Sequence, residues 1–129
     1  MSRTKYIATI NYQMNENNYD FKYVNDTQKV QTFTDMFNLD NNIFSLDYSK
    51  EYIKEQLLLQ ATNGDYSSVR NVDYSIYEVG ALIEINEIAI KSLEKLIKVH
   101  ENVIVKEAFT EQISSLLEKN NKLKKFLKS

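Results

Sequence analysis

The sequence predicts an α+β fold, and three patterns carry that reading. Over residues 5–14, KYIATINYQM, apolar side chains recur at every second position: Tyr6, Ala8, Ile10, Tyr12 and Met14 share one face of an extended strand. Ile76, Ile83, Ile90 and Ile97 recur every seven residues, the spacing of a helix face. Residues 109–127, FTEQISSLLEKNNKLKKFL, place Phe109, Ile113, Leu116, Leu123 and Leu127 on a four-and-three helical seam, with Asn120 where an apolar residue belongs. At 129 residues the chain is long enough for one real core, so residues 1–129 are expected to form a single domain.

Residues 1–46 read as an aromatic-rich β region. After the first strand, Asn15-Glu16-Asn17-Asn18 supply turn residues, and Tyr19, Phe21 and Tyr23 alternate again, as in a hairpin. Residues 27–39 fit two states. Val30, Phe33 and Phe37 suit a helix capped by Thr27, whereas the Thr-rich, aromatic composition suits a third strand to about residue 34. A turn through Asp40-Asn41-Asn42 follows, and Ile43–Leu46 could add a short strand.

A helix is expected over 49–62, capped by Asp47 or Ser49, with Ile53, Leu57 and Ala61 in line and Leu58 widening the stripe. Gly64 suits its left-handed stop, and 65–72 reads as a connecting loop. Ser75 and Glu78 match a capping box that would open a long helix over 75–101, with Glu87–Lys91 and Glu94–Lys98 as i,i+4 pairs. The Ile76/Ile83/Ile90/Ile97 stripe of that helix is the expected cover for the sheet. Gly80 in its first turns suggests a close backbone neighbour. Ile97 and Ile113 lie 16 residues apart, two more than a multiple of seven. A bend near 102–107 would absorb the shift, followed by an amphipathic helix over 107–127. If that helix folds back, the two form a hairpin; otherwise one long helix protrudes.

Composition narrows the function classes. The chain has no cysteine, which removes disulfides, thiol catalysis and thiolate metal sites. Two glycines cannot form a phosphate-cradling loop. His100 is the only histidine and follows Val79, Asn86 and Leu93 by sevens, so it reads as an interface or structural residue. Glu84 and Glu87 lack the Glu-x-x-His partners of a di-metal bundle. No catalytic residue, metal or cofactor is therefore expected. The N-terminus lacks the apolar core of a signal peptide, and no uncharged span is long enough to cross a bilayer. A cytoplasmic protein without membrane contact is the expectation. Asn (14), Lys (14), Ile (12) and Tyr (9), all with AT-rich codons, dominate the composition and point to an AT-rich bacterial, phage or plasmid genome.

Charge is uneven along the chain: residues 1–90 are net acidic and residues 91–129 net basic, within a total of −2. Lys119, Lys122, Lys124, Lys125 and Lys128 crowd the last eleven residues and are the candidate nucleic-acid contacts. Lacking arginine, they predict weak or no nucleic-acid binding rather than bidentate recognition. The hairpin aromatics are better suited to core packing than to stacking bases. The candidate interface is the seam itself: Ile113, Leu116, Asn120, Leu123 and Leu127, with His100. Asn120 in such a seam either finds a partner within the chain or pairs with a symmetry mate, which allows a homodimer through the C-terminal helices. The expected function is thus a non-enzymatic, protein-binding accessory factor that inhibits or regulates by occupying a partner protein's surface. A nucleic-acid-binding regulator using the lysine-rich tail and a structural coiled-coil component are the alternatives.

Overall fold

A computed structural model of the chain describes residues 2–14 and 30–129. It is α+β, with strands β1 (Arg3–Met14), β2 (Gln31–Asp40) and β3 (Val69–Glu78) and helices α1 (Leu46–Thr62), α2 (Val79–Val99) and α3 (Val103–Lys128). The hairpin turn and second strand expected over 15–23 lie outside the described residues. The chain divides into two compact units, Met1–Tyr77 and Glu78–Ser129.

In the first unit β1 is the middle strand, in the order β2-β1-β3. It pairs antiparallel with β2 in a register running from Arg3↔Asp40 to Tyr12↔Gln31. That register places Tyr6 opposite Phe37 and Ile10 opposite Phe33 on one face. The same face carries Ala8 and Tyr12, and with Leu39 of β2 and Ile53 and Leu57 of α1 it forms the core. Ile53 and Leu57, one helical turn apart, are fully buried. The Tyr12 hydroxyl donates to the Ala61 carbonyl at 3.1 Å, satisfying an acceptor in the last turn of α1 that has no partner within the helix. On the opposite face polar pairs bridge the strands, with Thr9 and Thr34 hydroxyls 2.9 Å apart. Ile7, the one apolar residue out of phase in β1, lies opposite Met36 there.

Five local expectations are corrected. β2 continues to Asp40 instead of ending near 34. Residues 43–46 form no strand: the Asp40 side chain and carbonyl accept from the amides of Asn42 (2.9 Å), Ile43 (3.1 Å) and Phe44 (2.9 Å), which turns the chain into α1. Ser45, not Asp47 or Ser49, caps α1, accepting from the Tyr48 amide, and Ser49 is buried one turn inside. At the other end Asn63 adopts the left-handed conformation (φ 52°) with Gly64 (φ 85°) behind it.

The fourth correction concerns 65–78. Instead of a loop and a capping box, Tyr66–Ser68 make one 3₁₀ turn and Val69–Glu78 form β3. Val72, Tyr74 and Ile76 alternate with period two, and ladder hydrogen bonds from a whole strand outweigh two capping bonds. Glu78 is the residue before α2 and makes no side-chain cap. Consequently Ile76 belongs to the sheet, and α1 packs on the core face of β1. The fifth is Gly80: a Cβ there meets nothing within 4 Å, so no close backbone explains it.

The second unit is a helical hairpin. α2 and α3 pack side by side, and the chain reverses through His100–Asn102. The break falls earlier than 102–107 because Asn102 caps α3, its Oδ1 accepting from the amides of Ile104 (2.9 Å) and Val105 (3.3 Å). Val103-Ile104-Val105 is therefore helical despite its β-branched side chains. Among the described residues no helix is long and apolar enough to cross a membrane.

Candidate protein-interaction surfaces

The seam of α3 is used inside the hairpin. Asn120 is 2% exposed; its Oδ1 accepts from Asn86 Nδ2 at 2.8 Å and its Nδ2 donates to the Ile83 carbonyl at 3.2 Å. The amide thus finds both partners within its own chain. Leu123 is buried beside it in sequence, Ile113 and Leu116 are half-buried, and Leu127 is exposed. His100 closes the turn end, half-buried with its ring 5.5 Å from that of Phe109. Of the six candidate interface residues, five therefore line or end the hairpin seam, and Leu127 is the most exposed. Asn86 was in view as a seam position seven residues after Val79; an amide at matching depth in both helices was the available signal for the pair.

The lysine-rich tail does not gather into one face. At 3.6 residues per turn, Lys119, Lys122, Lys124, Lys125 and Lys128 spread over about 220° of the α3 circumference. Lys124 lies 3.5 Å from Glu87 and Lys122 lies 3.8 Å from Glu118, so two of the five already face carboxylates. A shallow groove of about 230 Å³ runs along this side of the hairpin, lined by Glu87, Ile90, Glu94, Leu117 and Lys124 among others.

Exposed apolar side chains occur in both units, with Val99 (73% exposed), Val103 (65%) and Ile104 (77%) at the hairpin turn. In the first unit, the tight turn from β2 into α1 projects Ile43 (69% exposed), Leu46 (61%) and Tyr48 (56%) outward. Phe44 lies half-buried at this corner. Its ring stacks on Tyr48 at 5.2 Å between centroids and 19° between planes, and meets Tyr52 at 5.0 Å. Aromatic side chains with few rotatable bonds, already stacked in the free protein, lose little entropy when a partner covers them. The possible short strand over 43–46 gives no sign of this corner. Farther along α1, a shallow groove of about 330 Å³ is lined by Glu55, Gln56, Leu58, Leu59 and Tyr66.

On the β3 side of α1, burial first and then the Glu51 carboxylate push the Tyr74 phenol above its ordinary 10.0. Lys54 lies 5.7 Å from the centre of that ring and 3.7 Å from Glu51. Among the described residues no three His, Asp or Glu side chains gather in a way that could hold a metal ion. Compared with family models, curated proteins and solved structures, the chain matches none.

Proposed function

We propose that this chain is a non-enzymatic protein-binding factor that acts in the cytoplasm by covering a surface of a partner protein, inhibiting or regulating it. The observation that carries the reading is the preformed corner of Ile43, Phe44, Leu46 and Tyr48, an aliphatic and aromatic patch of the kind that dominates binding energy at protein interfaces. Codon-linked composition supports an origin in a phage or plasmid of an AT-rich bacterium. The test is capture from nuclease-treated lysate of such a bacterium with immobilised wild type and the Leu46→Glu variant. Leu46 is largely exposed, so the substitution leaves the fold intact while placing a charge in the patch. A protein retained by wild type and lost with the variant supports the reading. Retention that disappears with nuclease, or that Leu46→Glu leaves unchanged, counts against it.

A further inference from the structure

α2 carries two apolar faces. One, with Val79, Ile83 and Ile90, is buried; the other, well away from it around the helix, comprises Ile85 (50% exposed), Ile88 (66%), Leu96 (40%) and Val99 (73%), with exposed Ser92 among them. From Ile85 to Val99 the steps along this outer stripe are three, four, four and three residues, so it reads the same in both directions about Ser92. A helix face with that symmetry is self-complementary to an antiparallel copy of itself. Ile85 would meet Val99 of the copy, Ile88 would meet Leu96, and the two Ser92 residues would meet at the two-fold axis. A small residue there lets the helices approach closely.

Charge selects the same arrangement. Along one flank of the stripe Glu84, Lys91 and Lys98 recur by sevens. In a two-fold antiparallel pair the same flanks face each other, bringing Glu84 of each chain near Lys98 of the other. A parallel pair would set this flank against the opposite one, which carries Leu82, Ala89 and Leu93 and offers Glu84 and Lys98 no charged partner. Lys91 approaches its own copy near the axis, and Glu87 and Glu94 lie one turn to either side of it on the same helix.

We infer that the outer face of α2 binds a second copy of this chain, in an antiparallel α2–α2 contact centred on Ser92. Four aliphatic side chains per copy make a small interface, in the range below about 1,200 Å² where association is weak. A dimer with Kd on the order of 10 μM is expected. This contact is independent of the Ile43–Tyr48 corner and of the Asn86–Asn120 pair within the hairpin.

The test is sedimentation equilibrium of the full chain from about 1 to 300 μM, for wild type and for Ile88→Glu and Ile88→Lys. Wild type should pass from monomer to dimer across the series. Both variants should remain monomeric throughout, with unchanged circular dichroism. Orientation is read by disulfide trapping, since the chain has no cysteine of its own. Mixed Ile85→Cys and Val99→Cys chains should trap mainly the 85–99 heterodimer on mild oxidation. A wild-type chain that stays monomeric at 300 μM overturns the inference, as does a dimer that both Ile88 variants leave intact. Trapping dominated by 85–85 and 99–99 homodimers overturns the antiparallel arrangement.

Discussion

Replacing Asn120 with leucine, which has nearly the same shape, tests how the hairpin seam is closed. The substitution removes the acceptor of Asn86 Nδ2 and the donor to the Ile83 carbonyl. Each bond is worth about 1 kcal/mol net, and an Asn86 amide left without its partner at 8% exposure costs about 1–3 kcal/mol. Leucine returns about 1–2 kcal/mol through apolar burial. The single variant should therefore be less stable by about 1–3 kcal/mol. The Ile83 carbonyl lies inside α2 and can keep its helical partner, so nearly all the penalty sits on Asn86. Asn86→Leu should cost a similar amount, leaving Asn120 half-satisfied. The double variant Asn86→Leu/Asn120→Leu removes both amides and should return to within about 1 kcal/mol of wild type, so the coupling is close to the sum of the two single losses, about 2–6 kcal/mol. Urea denaturation of the four proteins, followed by circular dichroism, supplies the cycle. Additive losses in the double variant, or a single variant as stable as wild type, would refute the intrachain pair.

Three further outcomes follow from particular residues. Gly80→Ala should stabilise the chain by about 0.5–1 kcal/mol, since a methyl group meets nothing within 4 Å and alanine favours the helix; a lower urea midpoint would show a neighbour the structure lacks. Tyr74 has its phenol pKa raised in the folded state, so the stability it contributes is complete below pH 10.0 and is lost as pH rises through the folded value. Above that pH, Tyr74→Phe should gain on wild type in thermal melts, and a constant difference between pH 8 and 11 would contradict this. Duplex DNA should bind only weakly through the tail, and fluorescence anisotropy should show binding lost by about 150 mM salt, because five lysines spread around α3 cannot track one phosphate backbone. Tight binding at 200 mM salt would promote the nucleic-acid reading.

Much of the fold was legible where one period acted alone. The two-residue alternation of β1 marks its buried face directly, and Ile53 and Leu57 mark the buried face of α1. The α3 seam and the oddity of Asn120 were equally plain. Misreadings arose where two periods shared a residue. Ile76 stands seven before Ile83 and also two after Tyr74, so the heptad pattern absorbed it and hid β3. The Ser75/Glu78 capping box reinforced that error, because local capping chemistry says nothing about an available strand partner. The Ile43–Tyr48 corner was illegible for a different reason: its exposure depends on the Asp40 turn, whose geometry is set by three backbone amides. The outer stripe of α2 was visible as isoleucines, but only packing reveals which of two apolar faces is covered.

The most direct test of the protein-binding account uses the partner recovered in the capture experiment and titrates it against wild type, Tyr48→Ala and Ile88→Glu by calorimetry. Tyr48 is over half exposed and stacked on Phe44, the setting of an interface anchor whose truncation costs about 2 kcal/mol or more. The account predicts an affinity at least about 30-fold weaker for Tyr48→Ala. It predicts an intrinsic affinity within about twofold of wild type for Ile88→Glu, whose substitution lies on the self-association face. Equal affinities for wild type and Tyr48→Ala would contradict the central claim that the corner at the start of α1 is where a partner binds.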